Sequence, residues 1–139
     1  MAKNISRITV NASAQKVWDA LTKPELVKKW QYGSDLITDW KINNPIRFRS
    51  EWEGKIFEQW GTVLEIIPNK LIRYNLFAPR PDLEDKPENY FMMSYLLSKK
   101  GDCVVLEIHQ EDDRPGTVQA EVQGEENPVL AGLKALCES

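Results

Sequence analysis

The chain is predicted to be an α+β protein in which a curved antiparallel sheet wraps a C-terminal helix. Three observations carry this expectation. The first thirty residues read as one strand followed by two short amphipathic helices. The middle of the chain reads as strand after strand, joined by tight turns. A long apolar stripe at helical spacing occurs in the last dozen residues, so that helix is the cover for one face of the sheet. A curved sheet around a helix leaves a space between them, where a ligand would sit.

Ile5–Val10 forms the first strand, with Asn11 and Ser13 placed to accept hydrogen bonds from the free N–H groups of the helix that follows. Ala14, Val17, Trp18 and Leu21 share one face of that helix. Pro24 suits the first turn of a second helix, and Glu25 suits its positive end. Leu26, Val27 and Trp30 form the apolar face of that helix, and Gly33-Ser34-Asp35 ends it.

A short strand over Leu36–Trp40 precedes a turn at Asn43-Asn44-Pro45. Ile46, Phe48, Ser50 and Trp52 then alternate with Arg47, Arg49 and Glu51, the clearest period of two in the chain. Glu53-Gly54 turns into a long strand, Lys55–Ile67, with Gly61 as a bulge or bend. Pro68-Asn69 leads to Leu71–Phe77, where Ile72, Tyr74 and Leu76 share a face. Ala78–Pro87 is a loop rich in proline and acid, and Tyr90–Ser98 a central strand. Lys100-Gly101-Asp102 turns into a strand through Val104, Leu106 and Ile108 to His109, and Glu111–Gly116 is a polar break. The final helix begins at Asn127 or near Thr117 and carries Val129, Leu133 and Leu136 on one stripe.

The 139 residues are read as one domain, large enough for a core without staples. The net charge of −3 argues against nucleic acid and against an anionic membrane surface as partners. No apolar run approaches the ~18 residues of a membrane span, and the N-terminus lacks the apolar core of a signal peptide. Cys103 and Cys137 lie far apart without metal spacing, which fits a reducing cytoplasm.

Several segments in this order resemble the START-like (SRPBCC) superfamily. Val17-Trp18-Asp19-Ala20-Leu21-Thr22 with Pro24-Glu25 and Lys29-Trp30 is similar to its opening. Asn44-Pro45-Ile46-Arg47-Phe48-Arg49, Gly61-Thr62-Val63-Leu64-Glu65 and Pro68-Asn69-Lys70-Leu71-Ile72-Arg73-Tyr74 are similar to its middle strands. Pro87-Glu88-Asn89-Tyr90 resembles a strand opening, and Val129-Leu130 with Gly132-Leu133-Lys134 and Leu136 the closing helix. The narrower resemblance is to the branch related to the activator of the ninety-kilodalton heat-shock chaperone's ATPase. This chain has Asn127-Pro128 where that branch often carries a tryptophan. The resemblance implies a helix-grip fold with a central apolar cavity, and no universal catalytic residue. The superfamily includes lipid carriers, polyketide cyclases, hydrolase-like and chaperone-binding members.

In such a fold, core and cavity are one surface. Trp30, Trp52, Phe57, Trp60, Tyr74, Phe77, Tyr90, Met92, Tyr95 and His109 are therefore the candidates to line it. Whether they fill the interior or leave it open is not set by the sequence. The single histidine, His109, makes no metal site alone; facing the cavity it is a general acid or base, and a surface or packing role is favoured. Asp82, Glu84, Asp85 and Glu88 match no calcium loop and read as a solvated rim. Arg47 and Arg49 read as a charged outer face, and Arg80 as solvated. Ser50, Ser94 and Ser98 have no evident histidine partner, and no Gly-rich phosphate loop occurs.

The leading expectation is a non-enzymatic binder of a small apolar or amphipathic molecule, without cofactor or metal. A cavity enzyme of cyclase or hydrolase type is the second reading, and a chaperone-regulating interaction module the third. A symmetric homodimer is the base-rate expectation for the assembly.

Overall fold

The computed structural model describes residues 2–30, 34–79, 84–112 and 128–138, excluding the side chains at positions 2, 52 and 128. Seven strands and three α-helices are described: β1 (Ala2–Val10), α1 (Ala14–Thr22), α2 (Pro24–Trp30), β2 (Asp35–Thr38), β3 (Pro45–Trp52), β4 (Lys55–Ile67), β5 (Leu71–Leu76), β6 (Phe91–Lys100), β7 (Cys103–Asp112) and α3 (Pro128–Glu138). The strands form one sheet in the order β1-β7-β6-β5-β4-β3-β2. Every pairing is antiparallel. This is the helix-grip arrangement expected.

Side-chain alternation divides the sheet into two faces. Ile8, Val10, Ile72, Tyr74, Leu76, Tyr95, Leu97, Val104 and Leu106 point inward and are buried. Leu130, Leu133 and Cys137 of α3 are buried with them in one core. Helix α3 packs against β1, α1 and α2. The backbone N–H of Asn11, just past β1, donates to Glu138 Oε2 at 2.8 Å and ties the end of α3 to the end of β1.

The opening helices follow the sequence signals. Ser13 Oγ accepts from the N–H of Lys16 at 3.2 Å and caps α1. Pro24 and Glu25 start α2, and Lys28 and Lys29 sit in its last turn, both signs matching the helix dipole. The C-terminal end of α1 is closed by indoles. Trp30 Nε1 donates to the Ala20 carbonyl at 2.7 Å, and Trp40 Nε1 to the Thr22 carbonyl at 2.9 Å. Both acceptors lie in the last turn, where carbonyls lack an intrahelical partner.

That second bond explains a departure from the sequence reading. The second strand stops at Thr38, because Trp40 adopts a left-handed backbone (φ 57°) that turns its indole toward α1. At the other end, β1 starts at Ala2 and β7 runs on to Asp112, so Glu111 belongs to the strand rather than to a break. The ladder from Ala2↔Asp112 to Val10↔Val104 holds these polar ends in place. Tyr90 lies outside β6, after a 3-10 turn at Pro87–Asn89. The expected helix end at Gly33 and the alternative start near Thr117 lie outside the described residues; α3 is described from Pro128.

Gly61 marks a close approach. A Cβ there would overlap the Asn75 backbone carbonyl. Asn75 Oδ1 accepts from the N–H of Thr62 at 2.7 Å, and the β4–β5 register shifts between Val63 and Glu65. The strand bends at this point, curving the sheet as a bulge does.

Candidate functional site

Between the inner face of the sheet and the helices lies a cavity of about 610 Å³. The sheet supplies most of its wall: Ser6 of β1, Phe48 and Ser50 of β3, Phe57 and Gln59 of β4, Tyr74 and Leu76 of β5, Phe91, Met93 and Tyr95 of β6, and Ile108 and Gln110 of β7. Trp30 of α2 and Val129 and Leu130 of α3 close the helical side, with Ser34 and Ala78 at its margins. Among the described residues, no lining side chain is formally charged.

The cavity has a mouth and a floor. At the β3–β4 end Phe57 is 53% exposed, so this edge opens to solvent. At the floor Tyr74 and Tyr95 are buried, 1% and 3% exposed. Their hydroxyls are hydrogen-bonded to each other, and their rings meet edge to face with centroids 5.5 Å apart. They are diagonal neighbours across β5 and β6, since Ile72 pairs with Tyr95 and Tyr74 with Met93. Burial drives both hydroxyls above their ordinary range: Tyr74 far above it, with the neighbouring Tyr95 adding to the rise, and Tyr95 up to about 12 against the pull of its bond from Tyr74. Both phenols are therefore neutral across the physiological range. Phe48 and Trp40 pack on the Tyr74 ring at 5.9 and 6.4 Å.

The structure brings Trp30, Phe57, Tyr74 and Tyr95 together on this cavity. The side chain of Trp52 lies outside the described residues. The remaining expected cavity residues stand elsewhere. Trp60, Phe77 and Tyr90 form a separate aromatic stack, with successive centroids 5.5 Å apart. Asp85 gathers this stack, accepting from Trp60 Nε1 at 3.1 Å and from the Tyr90 hydroxyl at 2.6 Å. Burial, then the Asp85 contact, raises the Tyr90 pKa. The physical reason is parity: Phe57 and Gln59 face the cavity, so Trp60 falls on the face of Glu58. A shallower hollow of about 410 Å³ beside the mouth is lined in part by Trp60 and Pro79.

Parity also corrects Met92 and His109. Phe91, Met93 and Tyr95 point inward, so Met92 points outward. Ile108 and Gln110 point inward, so His109 joins Glu107 on the outer face, where its Nε2 donates to Glu107 Oε1 at 2.9 Å. That bond, helped by Arg7, holds the Glu107 carboxyl below its usual range. Ser94 stands opposite His109 in the ladder, but its hydroxyl accepts from Arg73 Nε at 3.2 Å. Arg47 and Arg49 both reach Glu58 on the outer face, as a charged exterior requires. Arg80 and Asp82 lie outside the described residues. Among the described residues no group of three His, Cys, Asp or Glu side chains could hold a metal ion. Cys103 and Cys137 are free thiols, and burial raises Cys137 to about 11.

Ser6, Ser34, Gln59 and Gln110 are cavity residues that the sequence reading did not single out, and Ser50, weighed there only as a nucleophile without a histidine partner, joins them on the wall. The signal was alternation: Gln59 is two residues from Phe57, and Gln110 two from Ile108.

Comparison with known proteins fits this geometry. A solution structure of ChR145 from Cytophaga hutchinsonii is 32% identical, covering 81% of this chain and 78% of that one with a TM-score of 0.66. The Aha1 dimer from Colwellia psychrerythraea is 20% identical over 84% of this chain and 81% of that one, with a TM-score of 0.63. Protein NE0264 from Nitrosomonas europaea is 18% identical over 98% and 94%, with a TM-score of 0.75. The latter two likenesses bear on the fold alone. No curated protein matches the sequence. The family model of the activator of Hsp90 ATPase homolog 1-like proteins matches residues 11–138, and the chain belongs to that family, within the START-like superfamily.

Proposed function

We propose that this protein binds a small, uncharged, mainly apolar molecule in the cavity between sheet and helices. One observation carries the reading: among the described residues, the wall of this 610 Å³ space combines aromatic and aliphatic side chains with serine, glutamine and tyrosine, and no charged group. An ionised ligand would lose its hydration there without meeting an opposite charge, which costs several kcal/mol or more. A neutral molecule with a few oxygen or nitrogen atoms meets apolar surface and hydrogen-bonding groups together. In this reading Trp30, Phe57, Tyr74 and Tyr95 touch the ligand, and Phe57 borders its entry. The free thiols of Cys103 and Cys137 support a cytoplasmic setting.

The test is native mass spectrometry of the purified protein, followed by titration with a neutral solvatochromic dye. A released small molecule, or saturable dye binding that a Ser50→Phe variant abolishes, is the expected result. A clean protein mass together with no saturable dye binding overturns the reading.

A further inference from the structure

Two phenol hydroxyls bring two protons, and the bond between Tyr74 and Tyr95 uses one of them. Whichever oxygen donates within the pair, the other keeps an O–H to give. Among the described residues neither hydroxyl has a further hydrogen-bond partner. Both side chains are more than nine-tenths buried, and both line the cavity. A buried O–H without an acceptor carries the full cost of its lost hydration, so a complement in the cavity is called for.

The immediate neighbours narrow the chemistry. Phe48 and Trp40 pack on Tyr74, and Phe91 and Met93 lie beside Tyr95 on the cavity wall. Among these neighbours, the extra proton of a ligand hydroxyl could go only to a tyrosine oxygen of the pair itself. A carbonyl oxygen accepts and brings none.

We propose that the Tyr74–Tyr95 hydroxyl pair is a ligand anchor, donating its second proton to a neutral carbonyl oxygen (ketone, ester, lactone or quinone) at the floor of the cavity. This rests on the cavity-binding reading above and names the chemical class of the molecule bound. The paired bond has a purpose in it: the donating partner polarises the outward O–H, and the diagonal packing of the two rings fixes its position.

The test uses two probes with the full chain. One is Prodan, a neutral naphthyl ketone dye. The other is the same naphthalene with a propyl chain in place of the propionyl group. Removing one hydroxyl leaves the other free to donate, so the informative variant is Tyr74→Phe combined with Tyr95→Phe. Removing both partners of a buried bond while keeping shape is close to neutral for folding. The ketone is expected to bind the double variant about tenfold more weakly than the native protein, while the carbonyl-free probe binds both alike. The carbonyl stretch of the bound ketone should lie at lower frequency in the native protein, a readout that needs no variant. Equal affinity changes for the two probes, or an unshifted stretch in the native protein, overturn the anchor and leave the cavity reading intact. Binding of neither probe to native protein with a clean mass, free of any co-purified molecule, overturns the cavity reading, and the anchor with it.

Discussion

The indole of Trp30 donates to the carbonyl of Ala20 across 2.7 Å, joining the end of α2 to the last turn of α1. The ring also faces the cavity, so one residue closes a helix and forms part of a binding wall. In Trp30→Phe the carbonyl loses its donor while the ring area is largely kept. The expected cost is about 2 kcal/mol, from the buried unpaired carbonyl and the smaller ring. Chemical denaturation measures it, and a midpoint unchanged from the native protein would show that water replaces the indole at no cost.

The tyrosine pair sets an alkaline limit. Both hydroxyls hold their protons more tightly folded than unfolded, where they ionise near 10. The folded state therefore binds more protons than the unfolded state above that pH, and stability falls as pH rises. Its contribution is whole below pH 10 and is lost on the way up through the folded value, about 12 for Tyr95. The slope approaches ~1.4 kcal/mol per pH unit for each hydroxyl. Unfolding midpoints measured across that range should drop steeply in the native protein and much less in the double phenylalanine variant. Tyrosinate absorbance from these two residues should appear only as the chain unfolds.

Gly61→Ala tests the bend in β4. The added methyl has no room against the Asn75 backbone. Strand separation or a shift in register must follow, at about 2–3 kcal/mol. Gly54→Ala is a useful contrast: nothing lies within 4 Å of its Cβ position, and its cost comes from the left-handed backbone (φ 78°). Thermal melts of the two variants should separate crowding from conformational strain, with the Gly61 variant the less stable.

His109→Gln is expected to leave dye binding in the cavity unchanged, because the imidazole lies on the opposite face beside Glu107. Its signature is in acid instead. Glu107 ionises more readily folded than unfolded, so it stabilises the protein above the unfolded carboxyl range and that gain is lost as pH falls through its folded value. Removing the imidazole should flatten this acid limb by less than about 1 kcal/mol, as befits a partly exposed pair. A large loss of dye binding would instead tie the outer face to the cavity.

Ser50→Phe fills the open end of the cavity from β3, across the ladder from Phe57. Dye affinity should fall at least tenfold, while stability stays within about 1 kcal/mol, because the side chain grows into space rather than into packed atoms. Retained affinity would show that the dye sits elsewhere.

The strands and turns were legible because their causes are local. Glu53-Gly54 and Gly101 carry the positive φ values that a tight turn demands, and Ser13 and Pro24 start helices by chemistry written in one residue. The outward position of His109 was legible too, since Val104, Leu106 and Ile108 fix the inner parity of β7 and His109 falls between. Other features depend on partners distant in the chain. Trp40 leaves its strand for a carbonyl on α1, and the meeting of Tyr74 with Tyr95 needs the β5–β6 register. The aromatic stack of Trp60, Phe77 and Tyr90 depends on Asp85, which in sequence is one more acid in an acidic loop. Composition marked these aromatics as notable; only pairing across strands decides which face each one serves.

The sheet order has a consequence for the life of the chain during synthesis. Among the described strands β1 is made first, yet its partner β7 is the last of them to leave the ribosome. Until then β1 lacks the ladder partner it has in the finished fold, while the hairpins from β2 to β6 can zip by neighbouring contacts alone. Joining β1 to β7 sets β1, on which α3 packs, into the sheet. A nascent chain arrested before β7 emerges would carry paired strands β2 to β6 and an unpaired β1, more open to proteases than the finished sheet.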